Sequence, residues 1–222
     1  MGKLIVFEGT DGSGKSTQFN LLHKRFEAMG REYRTLMFPQ YSEPSSALIR
    51  MYLGGEFGSR PSDVNAYAAS TFYAVDRYAS YQKVWKDYYE KGGLILSDRY
   101  TTSNAVHQAS KVPAEQREEF FRWIYDLEYE RMELPKPDIV IYLDVPTDMT
   151  EMMLRKREAA TQTNADIHEQ HMDYLRLCRS TGLEAAKFYN WTIIHCAKDG
   201  KMRSIEDIHQ EIFSLVQACL ED

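Results

Sequence analysis

Residues 7 to 18 read FEGTDGSGKSTQ, and the chemistry they permit is the holding of phosphates. Gly9, Gly14, Lys15 and Ser16 fall at the spacing G-x-x-x-x-G-K-[ST]. Glycines let successive backbone N–H groups turn inward around an anion, and the helix that must follow adds the positive end of its dipole. Lys15 is long enough to reach the β and γ phosphates, and the Ser16 hydroxyl suits the coordination shell of Mg2+. The candidate ATP-binding residues are therefore Gly9, Thr10, Asp11, Gly12, Ser13, Gly14, Lys15, Ser16 and Thr17. The bland alternative is a glycine turn with no ligand. The position of the motif, between an apolar run and a helical pattern, weighs against it.

Two further stretches carry candidate chemistry. LILSDRY, residues 94 to 100, is an apolar strand ending in Asp98 and Arg99. In an open parallel sheet, ligands bind beyond the carboxyl ends of the strands, where this pair must emerge. Asp98 suits the Mg2+ shell or the water around it, and the forked Arg99 guanidinium suits an acceptor phosphate. TFYAVDRYAS, residues 71 to 80, puts Tyr73 and Arg77 four apart on one helix face, able to grip a flat base by stacking and hydrogen bonding. Aromatics at helical spacing are more often core. The charge of Arg77, set amid apolar neighbours, then needs a partner.

These residues must be positioned by the elements around them. Short runs rich in Ile, Val, Leu and aromatics recur at Lys3 to Glu8, Arg34 to Phe38, Leu94 to Asp98, Ile139 to Asp144 and Trp191 to His195. Separated by helical patterns, they predict a five-stranded parallel sheet covered on both faces, a three-layer α/β sandwich. Helices are expected over Lys15 to Ala28, around Ser45 to Leu53, over Asp63 to Lys91 and over Ala114 to Leu127. ELPKPD then forces an extended approach to the strand at Ile139. REAATQTNADIHE, residues 157 to 169, lacks core residues and reads as a mobile lid between two helical patterns.

The bulk properties narrow the class. A chain of 222 residues fits one domain, 1–222, with the lid at about 155–170. A net charge of -6 argues against a surface built for a nucleic acid polymer, although it leaves nucleotide monomers open. Cys178, Cys196 and Cys219 show neither a disulfide framework nor zinc-ligand spacing, which fits a reducing cytoplasm. The apolar start is too short for a signal peptide, and nothing approaches the roughly 20 apolar residues of a membrane span.

Taken in order, FEGTDGSGKSTQ, FPQYSEP, FYAVDRYAS, SDRYTTSNAVHQ, ADIHE, LPKPDIVIYLDVP and SIEDIHQEI resemble the thymidylate kinase family across nearly the whole chain. The resemblance implies a P-loop NTPase-type fold, transfer of phosphate from MgATP to dTMP, and a homodimer. By position, it implies that Asp11 contacts the acceptor sugar, that Phe38 and Pro39 line the thymine pocket around a cis bond, and that Tyr73 stacks on thymine. Arg77 would bond the base edge, Arg99 the acceptor phosphate, and Asn104 and His107 would approach the base and the sugar 2' position. Three positions depart from the pattern. His107 stands where the family commonly has Tyr or Phe, and Tyr41 where some members have Arg. Gly12 replaces an arginine that some members carry, which turns attention to Arg155, Lys156 and Arg157 beside the lid as the source of catalytic charge, the alternative being a solvated helix face.

Two rivals follow from the same residues. One is a kinase for another nucleotide or nucleoside, such as dUMP. The other is a nucleotide-dependent switch, which would be expected to carry an N-K-x-D guanine motif that this sequence lacks.

Overall fold

The computed structural model describes residues 1–161 and 172–221, with the backbone alone at 156–161 and 172. Five strands form one parallel sheet: β1 (Lys3–Glu8), β2 (Arg34–Met37), β3 (Leu94–Asp98), β4 (Ile139–Asp144) and β5 (Thr192–His195), in the order β2-β3-β1-β4-β5. β1 lies at the centre, and its neighbours β3 and β4 both belong to later crossovers. The carboxyl ends of β1 and β3 therefore meet at the place where the winding reverses. Phe7 pairs with Asp98, so the turn after β1 and the Asp98-Arg99 pair come out side by side.

The alternation of β1 decides what covers it. Ile5 and Phe7 face one way, into a cluster with Phe19, Leu22 and Phe26 of α1 (Lys15–Ala28). Leu4 and Val6 face the other way, against Tyr81, Trp85, Tyr89 and Tyr100. All four of these β1 side chains are fully buried, as a strand sandwiched between two helical layers requires.

The helix expected over residues 63 to 91 departs from a plain α-helix in two places. A 3-10 turn at Pro61–Asp63 comes first, and α3 (Ala66–Ser80) starts only after Asn65, whose side chain accepts the Ala68 N–H at 2.9 Å. A π turn follows at Tyr81–Trp85, before α4 (Lys86–Glu90). Tyr81, Trp85 and Tyr89 are spaced four apart and all buried. In a plain α-helix each would rotate about 40° past the last, and the extra residue of the π turn takes up that drift.

Two other expected helices differ in detail. The early one divides into a 3-10 turn at Pro44–Ser46 and α2 (Ala47–Leu53), and the later one into a 3-10 turn at Ala114–Gln116, α5 (Arg117–Tyr125) and a π turn at Asp126–Arg131. Asn104–Gln108 forms a π turn that runs into a 3-10 turn at Ala109–Lys111.

α6 (Thr147–Thr161) continues through the first five residues of the stretch read as a lid, because Arg, Glu and Ala are good helix formers whether or not they bury anything. The remainder of that stretch, with Asp166 to Glu169, lies outside the described residues. α7 (Met172–Phe188), a short hairpin β6 (Ala197–Lys198) with β7 (Lys201–Met202), and α8 (Ile205–Glu221) complete the chain. Ile208, Ile212, Phe213 and Val216 of α8 join the cluster on the α1 side of the sheet.

Candidate active site

The loop after β1 wraps as its glycines allow. Gly12 and Gly14 have φ of 77° and 84°, in the left-handed region that L side chains avoid. A Cβ on Gly12 would also stand 2.9 Å from Leu154 Cγ and from the Thr150 carbonyl oxygen. The absence of a side chain at this position is thus a packing requirement set by α6, as well as a departure in charge. Lys15 is buried and curls back, its Nζ donating to the carbonyls of Gly9 at 2.7 Å and Thr10 at 3.0 Å. Burial, with the charge of Arg99 beside it, lowers its pKa. Ser13 and Thr10 are buried within the loop, whereas Ser16 and Thr17 at the start of α1 are exposed.

Arg99 leaves β3 with φ of 67°, a strained conformation for a residue with a side chain. Its Nη2 donates to Asp11 Oδ1, and its Nη1 donates to His107 Nε2 at 2.9 Å, with Ser103 Oγ at 3.4 Å and Glu8 Oε1 at 3.5 Å. Arginine has only donors, so His107 accepts through Nε2 and carries its proton on Nδ1. Burial opposes the charge of Arg99, but Asp11, Glu8 and Asp98 outweigh it and hold the guanidinium above its ordinary range. Glu8, fully buried, is the anchor of this network. It accepts the Gly9 N–H at 2.9 Å, Thr102 Oγ1 at 2.8 Å and Ser103 Oγ at 2.6 Å. Glu8 belongs to no motif in the sequence, although its place at the end of the loop's strand is a signal of its role.

The partner that Arg77 requires is Glu128, on the π turn at Asp126–Arg131. Arg77 Nε and Nη2 donate to its two oxygens at 2.6 and 2.7 Å, with both side chains buried. Burial works against the arginine's charge and Glu128 more than restores it. Asn104 Nδ2 donates to the Ser70 carbonyl at 3.2 Å and to Glu128 Oε1 at 2.9 Å. Both partners are pure acceptors, so the amide orientation is fixed and Asn104 Oδ1 is the atom left to face a ligand. Nothing in the local spacing of residues 77 and 128 announces this pair, since they are 51 positions apart.

Asp11, Phe38, Pro39, Tyr73, Arg77, Arg99, Asn104 and His107 all line one cavity of about 320 Å3, beside Tyr41 and Asp98. The Phe38-Pro39 bond is cis. Buried Asp76 of α3 holds the loop that carries this bond, accepting the Gln40 N–H at 2.8 Å and Ser45 Oγ at 2.6 Å. Asp98 Oδ1 is buried without a hydrogen-bond partner, the state expected of a carboxylate oxygen awaiting a metal's water shell. Among the described residues no cluster of three His, Cys, Asp or Glu side chains could hold a metal unaided. Arg155 is exposed on α6 and paired with Glu151 on the preceding turn, one residue beyond the Leu154 that packs over Gly12. The side chain of Arg157 lies outside the described residues.

A five-stranded parallel sheet with a glycine-rich phosphate loop at its winding reversal, and an acceptor-sized cavity at the lip of that loop, defines the class as P-loop nucleotide kinase. The family model for thymidylate kinase matches residues 7–212. A thymidylate kinase of Mycobacterium tuberculosis is 35% identical over 66% of this chain and 67% of its own. A probable thymidylate kinase of Thermococcus gammatolerans is 30% identical over 98% and 97%. The solved thymidylate kinase of Candida albicans shares the fold at a TM-score of 0.72, with 21% identity over 98% of this chain and 92% of its own. The chain belongs to the thymidylate kinase family.

Among the described residues no helix is long and apolar enough to cross a membrane.

Proposed function

We propose that the ATP-dependent phosphorylation of dTMP to dTDP, the reaction of the family, is carried out here by the phosphate loop and the 320 Å3 cavity acting as one site. The observation that supports this most is the cavity's lining, because it combines the loop residue Asp11 with a base-gripping group and a phosphate-gripping group. Thymine offers an acceptor O4 next to a donor N3–H. Arg77 supplies a donor and Asn104 Oδ1 an acceptor, with Phe38, Pro39 and Tyr73 against the ring faces. Cytosine offers the opposite pattern along the same edge and would leave both groups unsatisfied. Uracil shares thymine's edge, so discrimination against dUMP rests on the fit of the 5-methyl group alone.

The acceptor's phosphate takes Arg99 from Asp11, and the released Asp11 carboxylate then meets the acceptor sugar. Gly9 to Thr17 hold the ATP phosphates, with Lys15 leaving its own loop carbonyls for the β and γ oxygens. Ser16 and Asp98 would hold Mg2+, which neutralises phosphate charge when bound. An ionised phosphate oxygen needs no base to make it nucleophilic, so alignment and charge are what the residues supply. Arg155 and Arg157 add positive charge over the transferring group. We read the chain as one catalytic domain of a cytoplasmic enzyme, its three cysteines outside disulfides. It works as a homodimer, a reading supported by an exposed stripe of Tyr67, Val75 and Tyr78 along α3. Light scattering showing a monomer would remove the dimer.

A coupled assay with ATP against dTMP, dUMP, dCMP and thymidine tests the whole reading. The expected order of kcat/KM is dTMP, then dUMP, with dCMP and thymidine at least 100-fold lower. Preference for thymidine, or ATP hydrolysis unaffected by any acceptor, overturns it.

A further inference from the structure

A second cavity, larger than the acceptor cavity, opens toward the other end of the sheet. About 620 Å3 in volume, it lies at the amino-terminal edge, bounded by Lys3 where β1 begins, by Pro137 to Ile139 where β4 begins, and by Asn190 to Thr192 where β5 begins. Four half-buried aromatics line it: Tyr125, Tyr129, Tyr189 and Trp191. Tyr125, Tyr189 and Trp191 are nearly parallel, with centroids 6.5 Å and then 5.5 Å apart and planes inclined by 17° and 13°. All three side chains border the open volume, and an aromatic lining is what a flat ligand would pack against.

The charge on the lining is unbalanced. Lys3 and Lys136 stand against the single carboxylate of Asp138, which divides itself between Lys3 at 3.5 Å and the Leu4 N–H at 2.7 Å. Lys136 lies 4.7 Å above the centroid of Tyr125, and its own partner, Glu130, is outside the lining. We propose that this cavity is a second ligand site, for a planar aromatic ring bearing an anionic group, and that its occupancy is felt at the acceptor cavity.

Among the described residues none lines both cavities, yet one segment forms the wall between them. Thr101, Thr102 and Ala105 face the second cavity, and Arg99, Ser103 and Asn104 face the acceptor. The Thr101 hydroxyl is bonded to that of Tyr129, next in sequence to the Glu128 that holds Arg77. Thr102 donates to Glu8, the carboxylate behind Arg99. An occupant pressed against Tyr129 and Thr102 therefore bears on both arginines of the acceptor cavity.

The probe is 2-naphthoate, titrated calorimetrically into protein saturated with ADP and dTMP so that neither substrate site is open to it. One molecule is expected to bind per chain. Neutral 2-naphthalenemethanol should bind at least five-fold more weakly, Lys136→Glu should weaken 2-naphthoate at least five-fold, and Leu215→Trp, which fills the cavity from α8, should abolish binding. Near-ultraviolet circular dichroism of both variants verifies that they fold. In the kinase assay the probe should shift the KM for dTMP at least two-fold. Absence of saturable binding up to about 5 mM, a Kd too weak to matter, or equal binding by Lys136→Glu, overturns the site. Binding that leaves KM unchanged overturns the coupling. The binding arm does not depend on the residue roles proposed for the acceptor, so its failure and theirs are distinguishable.

Discussion

Arg77 and Glu128 show how one pair can serve both the fold and the ligand. Both are within about 1% of complete burial, and each supplies the other's countercharge. Removing one partner of such a pair strands a buried charge, at a cost of about 3–5 kcal/mol. Glu128→Gln is therefore expected to lower the unfolding free energy by that amount, measured by urea denaturation, and to raise the KM for dTMP. The double variant Arg77→Met, Glu128→Leu should recover most of the stability, because an apolar pair of similar volume carries no desolvation penalty. It should not recover acceptor affinity. If both properties return together, Arg77 is structural and does not touch the base.

Arg99 differs in that its partners belong to the site itself. Arg99→Ala removes a charge-assisted contact to phosphate, and kcat/KM for dTMP should fall on the order of 100-fold with the fold retained. The loss should be smaller for ATP hydrolysis measured without an acceptor. A uniform loss in both would place Arg99 on the donor side.

At the scale of elements, the approach of α6 to the phosphate loop is the most sensitive joint. Gly12 has positive φ, and a methyl there would meet the backbone of Thr150 as well as Leu154. Gly12→Ala is expected to cost about 1–2 kcal/mol from the left-handed conformation alone, with more from the displaced helix. The KM for ATP should rise as the loop is pushed out of shape. Unchanged stability with raised KM would mean that α6 yields freely. This joint could not be read from the sequence, where Gly12 is simply uncharged. The five strands were legible to within a residue at each end because their apolar runs are bounded by Gly, Pro and charged residues. The π turns were not legible, since each preserves a helical apolar pattern while inserting a residue. α8 carries its period openly in Ile208, Ile212 and Val216. The phosphate loop, the Asp98-Arg99 pair, Tyr73 and Arg77 stand out as types at spacings, and Phe38, Pro39, Asn104, His107 and the acceptor role of Asp11 are suggested only by the family resemblance, whereas Glu8 and Glu128 become visible only as the partners those residues must have.

For the molecule as a whole, an unusual electrostatic feature is Lys111, which makes no ion pair among the described residues. Its Nζ donates to Tyr52 Oη at 2.7 Å and to the Val64 carbonyl at 3.1 Å, tying the turn at 109–111 to α2 and to the loop before α3. Burial lowers its pKa from 10.5 to about 7. The unfolded chain thus holds this proton up to about pH 10.5 while the native protein releases it near 7, so stability rises with pH across that window. Below about pH 7 the native ammonium is charged and the burial penalty is felt in full. Lys111→Met removes the slope. Its stability relative to the unmodified protein should be most favourable at pH 6 and decline toward pH 10, by no more than about 1.4 kcal/mol per pH unit. The loss of two hydrogen bonds shifts the whole comparison by a constant and leaves the trend intact. Urea denaturation of both proteins at pH 6, 8 and 9.5 measures the difference directly, with titrations elsewhere common to both chains and cancelling. A difference that is flat in pH would mean that Lys111 keeps its proton in the native state, and that its hydroxyl and carbonyl partners suffice to hold a buried ammonium.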